Sequence, residues 1–156
     1  MVWFQRGKHM FFNPSATGVG EAPFAILTDR ILVALMKTSY SVDVAAHEQF
    51  NDINEDEIIT TGYTPRGNLQ EVTGKVVTRD DAGGRIYFDA DDHTYTSALG
   101  ASVQDTFNKI VILREQDSGA TNANTELVAH AATGSVTTNG APVTLVWNSQ
   151  GIIQIS

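Results

Sequence analysis

The chain of 156 residues contains no cysteine, which excludes disulfides, cysteine-based zinc sites and a cysteine nucleophile. Charge is scarce too: 18% of residues are charged against 42% hydrophobic, a low share for a soluble domain. Long hydrophobic runs are missing. The longest, Ala22–Met36, is interrupted by Asp29 and Arg30 and falls short of the roughly 20 residues a membrane-spanning helix needs. Met1–Phe12 carries Arg6, Lys8 and His9 where a secretory signal would place its apolar core, so no signal peptide is read. The expectation is a soluble protein with no membrane association.

What charge there is has the wrong sign for polyphosphate. Residues 1–37 hold four basic and two acidic groups, a net +2, whereas residues 38–156 hold six basic and sixteen acidic groups, a net −10. Binding nucleic acid depends on basic groups displacing counterions, so no nucleic-acid partner is expected.

The length fits one domain with a core large enough to fold unaided. Residues 1–25 differ in character from 26–156 and are read as an N-terminal arm followed by the folded domain. Trp3, Phe4, Phe11 and Phe12 alternate with Arg6 and Lys8. They suit either an edge strand followed by a loop, or an extended arm whose aromatics dock on a neighbouring subunit, since large apolar groups are seldom left exposed without cause.

Beyond the arm the chain reads as short strands separated by turns. Arg30–Met36 and Phe107–Arg114 are apolar on both faces, as buried strands are. Glu57–Tyr63 is rich in β-branched residues and is read as a further strand. Val72–Thr78 and Arg85–Ala90 flank an acidic, glycine-containing turn and predict a hairpin. Glu126–Ala132, Val143–Trp147 and Ile152–Ile155 complete the set. One short helix is expected over Ser41–Asp52, capped by Ser41, with Val42, Ala45, Ala46 and Phe50 on one face. About seven to nine strands with turns every ~10–15 residues predict an all-β, single-domain antiparallel β-sandwich, either jelly-roll or immunoglobulin-like.

Catalytic and metal patterns are not found. There is no phosphate-binding glycine loop, no Gly-x-Ser-x-Gly elbow and no His-Glu-x-x-His. His9, His47, His93 and His130 are scattered rather than at ligand spacing. Asp89-Ala90-Asp91-Asp92-His93 is the densest acidic cluster; it lacks the spacing of a calcium loop and is read as acids tying a turn. The expectation is therefore no enzyme, no catalytic or metal residues and no cofactor.

Five landmarks, in order, carry a resemblance. They are His47-Glu48-Gln49-Phe50-Asn51-Asp52-Ile53, Thr61-Gly62-Tyr63, Val72-Thr73-Gly74-Lys75-Val76, Phe88-Asp89-Ala90-Asp91-Asp92-His93-Thr94-Tyr95, and Trp147-Asn148-Ser149-Gln150-Gly151-Ile152-Ile153-Gln154-Ile155. Together they resemble a family of small virion structural proteins of tailed bacteriophages. The resemblance covers roughly residues 30–156. It departs at Tyr95, where tryptophan is usual, and at Arg114-Glu115.

It implies a capsid decoration, or cement, protein on the outer surface of the head, made in the host cytoplasm. Such a subunit would bind the major capsid protein and itself, as a homo-oligomer, trimer or dimer. The arm lies outside the resemblance; from its own residues, Trp3, Phe4, Arg6, Lys8, Phe11 and Phe12 are expected to bind the partner, with apolar anchors supplied by the rings. The alternatives are a tail or head–tail connector component, or a carbohydrate-binding host-attachment module using Tyr40, Tyr63 and Tyr95. Within the landmarks, Trp147 and Phe88 are expected as core anchors, and Asp89 and Asp91 as ties for the loop beside Phe88.

Overall fold

A computed structural model describes residues 1–12, 25–95, 98–115, 121–149 and 151–155. The long strands are β2 (Arg30–Lys37), β6 (Thr106–Glu115) and β7 (Thr125–Thr137). With β1 (Val2–Trp3) they form a four-stranded antiparallel sheet in the order β1-β7-β6-β2. Side chains alternate across a strand with period two, and β2 divides its burial accordingly. Ile31, Val33 and Leu35 enter one apolar cluster, while Leu32, Ala34 and Met36 enter another. β6 does the same, with Ile110 and Ile112 on the first side and Val111 and Leu113 on the second. Runs without polar alternation are thus explained: both faces are covered.

The remaining strands make two smaller sheets. β3 (Val76–Asp80), β4 (Arg85–Asp89) and β9 (Ile153–Ile155) pair in the order β3-β4-β9, and β5 (His93–Tyr95) pairs with β8 (Val143–Leu145). All these pairings are antiparallel. Phe88, Tyr95, Ile152 and Ile153 bring these sheets into the first cluster. The second cluster is closed by Phe4 and by Tyr40, Phe50 and Ile53 from the loop after β2. The chain is all-β and antiparallel, as expected, with α1 (Gln5–Phe12) its one α-helix among the described residues.

Three expectations are corrected. The arm is not extended over its first twelve residues. β1 pairs with Ala129 and His130 of β7, the Phe4 amide bonds the Val128 carbonyl at 3.0 Å, and α1 follows at once. Gly7 lies against the Val128 backbone, where a Cβ would come within 2.4 Å of the carbonyl oxygen, so the helix can seat only because that position is glycine. The remainder of the arm lies largely outside the described residues.

The helix expected over Ser41–Asp52 is absent. The Asp43 carboxylate accepts from the Ala45 and Ala46 amides at 3.0 and 3.1 Å, and the Asp52 carboxylate accepts from those of Glu48 and Gln49, both at 2.9 Å. Short acidic side chains compete with helix for backbone donors. What forms is a turn and a 3₁₀ segment at Phe50–Asp52.

Glu57–Tyr63 is not a strand either. Glu57 makes one bridge to Met36; its carboxylate then turns inward and closes a loop, accepting from the Tyr63 hydroxyl at 2.5 Å and the Arg66 and Gly67 amides at 2.7 and 2.8 Å.

Candidate functional site

β7 and β8 follow one another in sequence and would be expected to close as a hairpin. They do not. Thr138, between them, is buried and pinned from the other side: its amide bonds the Asp105 carbonyl at 2.9 Å, and its hydroxyl lies 2.9 Å from that of Thr60 and 3.0 Å from the Asp105 amide. The Gly140 amide likewise bonds the Leu99 carbonyl. The connection is therefore drawn toward residues 99–105, and β8 pairs with β5 instead.

A groove of about 650 Å³ opens between the separated strands, within the range of ligand clefts. Phe107, Ile110 and Ile152 lie along it, and Met1 stands at one side. Its walls have an informative pattern. Ala131, Ala132 and Thr133 all line it, as do Val143, Thr144 and Leu145. Consecutive residues of a strand point to opposite faces, so a wall made of consecutive residues is a strand edge. The groove is a gap between two edges.

Among the described residues the β7 edge is free beyond His130, where β1 ends its pairing. Between Lys109↔Ala132 and Phe107↔Val136 the register of β7 slips, and Gly134 takes φ 78°. This bulge limits the regular part of the free edge to Ala131 and Ala132.

The far wall is held rigidly. The Trp147 indole nitrogen donates to the Asp91 carbonyl at 2.9 Å, and the Trp147 amide donates to the Asp92 carboxylate at 3.0 Å. Asp91 accepts in turn from the Thr73 hydroxyl at 3.1 Å, and the Asp91 amide bonds the Thr73 carbonyl. The Ile152 amide bonds the Phe88 carbonyl at 2.7 Å. Landmarks 72–76, 88–95 and 147–155 are thus one interlocked unit. Phe88 is buried as expected and Asp91 ties its loop, while Trp147 is half-buried and packs on the first cluster. Val146, next to it, projects outward at 74% exposure.

Among the described residues the groove takes its charge from the chain's amino group at Met1 and not from side chains. No Asp, Glu, Lys or Arg side chain among the described residues lines it. His130, beside the free edge, packs edge-on against Phe4 with ring centres 5.5 Å apart. Burial first, then the chain's amino group and Lys109, lower its pKa and favour the neutral ring. No group of three or more potential metal-ligating side chains converges among the described residues.

A second polar cluster lies inside the fold. Glu57 is buried, and desolvation pushes its carboxyl up to about 7 against the hydrogen bonds that favour the charged form. The Tyr63 hydroxyl that serves Glu57 also accepts the Leu35 amide at 3.1 Å. Tyr95 donates to the Val33 carbonyl, packs 5.8 Å from the Tyr63 ring and meets His93 edge-on at 4.8 Å. Burial raises both phenols well above the usual tyrosine range and lowers His93. His93 Nε2 is buried with no hydrogen-bond partner among the described residues. This cluster is sealed, with His93 and Tyr95 both buried, and it braces the loop after Glu57.

The expected partner-binding residues fall differently. Phe4 is fully buried in the second cluster and cannot anchor a neighbour; this corrects its assignment. Trp3 is half-buried against the first cluster. Arg6 pairs within the chain, with Glu126 at 3.2 Å and Glu48 at 3.4 Å, which accounts for it without a neighbouring subunit. Lys8 is exposed. The side chains of Phe11 and Phe12 lie outside the described residues.

The tyrosines proposed as a sugar platform are also corrected: Tyr40 and Tyr95 are buried and Tyr63 is committed to Glu57. The sequence did hold a signal for the groove. From Leu127 to Ser156 there is no Asp, Glu, Lys or Arg, although the chain carries 28 such residues in all. Comparison with protein families, curated proteins and solved structures finds no match for this chain.

Proposed function

We propose that the protein is a bacteriophage capsid decoration subunit that acts by protein–protein contact, binding the outside of the head shell through the major capsid protein and through further copies of itself. The observation that carries the contact mechanism is the open groove, without charged side chains among the described residues and flanked by the exposed Val146 and Met1. An apolar opening rimmed by polar surface is the usual mark of an interaction site. The phage assignment is supported by the ordered landmarks alone, three of which meet in one hydrogen-bonded unit behind the groove wall. The acidity of the body, −10 over residues 38–156, favours a protein partner over packaged nucleic acid.

Quantitative mass spectrometry of purified particles tests the assignment against the major capsid protein. Hundreds of copies per particle are expected of a lattice-bound cement. A handful of copies would move the protein to the tail or head–tail connector, and absence from particles would overturn the virion reading. A carbohydrate-binding role has lost its aromatic platform, since Tyr40 and Tyr95 face inward.

A further inference from the structure

We propose that the gap between β7 and β8 is an acceptor slot for one extended, uncharged segment of a different protein, which pairs with the two strand edges and lays its apolar side chains on the half-buried Val136, Val143 and Leu145. The proposal deepens the contact mechanism above and rests on it. Three observations lead to it.

The first is the pattern of the walls. Ala131–Thr133 and Val143–Leu145 present consecutive residues to the groove, so each wall offers backbone donors and acceptors rather than a side-chain face. Among the described residues, β7 beyond His130 pairs only with β6, and β8 pairs only with β5. A strand placed in the gap would satisfy both edges and join the four-stranded sheet to the β5-β8 pair. This is strand addition, in which main-chain bonds supply affinity and pockets supply selectivity.

The second is continuity. β1 already occupies the same edge of β7, with Val2 opposite His130 and Trp3 opposite Ala129. The slot begins where β1 stops, with Met1 at its side. The chain therefore demonstrates on itself that this edge accepts a strand.

The third is charge. Exposed edges are ordinarily protected with lysine or other charges, yet no charged side chain among the described residues lines this groove and none occurs after Glu126. Without charged side chains the slot favours an uncharged segment, because a charge buried between the two strands would find no side-chain counter-ion there. A second copy is disfavoured as the occupant, since its own charge-free stretch from Leu127 onward is already paired into its sheets as β7, β8 and β9.

The register of β1 supplies the test. β1 runs antiparallel to β7, so residues added ahead of Met1 would run along Ala132 and onward into the slot. A short N-terminal extension of alternating threonine and valine delivers the strand at high effective concentration. Hydrogen exchange is followed at Ala132 and at the amides among Val143–Leu145 that face away from β5, with the β6 amides as a control for intact folding. The expected result is slowing of the edge amides by at least about tenfold in the extended full-length chain, and none when each valine of the extension is replaced by proline, which cannot donate.

Equal exchange with and without the threonine–valine extension would overturn the slot, as would equal protection by the proline version. Protection that appears in the unextended protein as its concentration rises would also overturn the proposal, because the occupant would then be a second copy. None of these outcomes alters the particle copy number, so the decoration assignment stands or falls separately.

Discussion

The two ends of β6 and β7 are built on opposite principles. At the end where β6 finishes and β7 begins, Arg114 and Glu115 are both fully buried. Arg114 meets Asp29 and Glu126, each at 2.7 Å, Glu115 meets Arg30 and, at 3.4 Å, Arg66, and Arg6 of α1 reaches Glu126 and Glu48. Four arginines face four carboxylates there. At the other end, residues 131–137 carry no charge, β7 bulges at Gly134, and its outer edge opens on a groove.

Buried ion pairs are weak evidence for stability as such, but losing one partner is costly. A sheet slipped by one residue would strand Arg114 without a carboxylate. We therefore read the charged end as the feature that specifies register and seats α1, and the neutral end as the part of the same sheet left available. One end is closed by the cost of mispairing; the other stays open because nothing in it requires a particular neighbour.

The comparison can be broken most forcefully at the charged end. Arg114→Ala should destabilise the protein by about 4 kcal/mol, because Asp29 and Glu126 would be left facing each other without their shared cation; chemical denaturation measures this. A loss below about 1 kcal/mol would mean that water takes over the arginine's role and that the end is not closed in the sense argued.

Phe4→Ala should cost about 3 kcal/mol through the cavity it leaves in the second cluster. Exchange of the His130 amide should accelerate with it, since β1 is held on the edge by that ring.

The buried Glu57 predicts a pH dependence. Its folded-state pKa is raised from 4.5 to about 7, so its contribution is fully present below the unfolded value and is lost as pH rises through about 7. Tyr63, Arg66 and Tyr95 are the titratable or charged groups around it. A loss on the order of 2 kcal/mol between pH 5 and pH 8 is expected, and thermal melts of the Glu57→Gln variant should lack that slope.

The smallest effect belongs to the open end. Val146→Lys, at a position 74% exposed, should change stability by less than about 0.5 kcal/mol while weakening attachment to particles in a sedimentation assay. A variant that folds normally and still attaches would remove the groove from the contact.

Legibility followed the same division. β2 and β6 could be read as unbroken apolar runs, and the β3-β4 hairpin from the acidic, glycine-bearing turn between Asp80 and Arg85. Those signals are local: strand period and turn chemistry act within a few residues. Trp3 and Phe4 misled because a cluster of aromatics near a chain end reads the same whether its rings pack on their own sheet or on a neighbour. Only the position of Val128 beside Gly7 distinguishes the two. Ser41–Asp52 carried helix periodicity, yet Asp43 and Asp52 redirected its backbone donors. Of the groove, the absence of charge after Glu126 was visible in the sequence; its location was not.

By itself, then, the sequence determined an all-β chain with long buried strands, a hairpin, a neutral final segment and an acidic body, because burial on two faces and turn geometry leave their mark residue by residue. The tertiary structure alone decided that Arg114 would be buried among carboxylates, that Glu57 would close a loop instead of extending a strand, and that β7 and β8 would part. Each of these depends on groups brought from distant positions: Asp29 to Arg114, Tyr63 and Gly67 to Glu57, and Asp105 and Thr60 to Thr138. A gap between two strands is a property of where both are anchored, and no single stretch of sequence contains it.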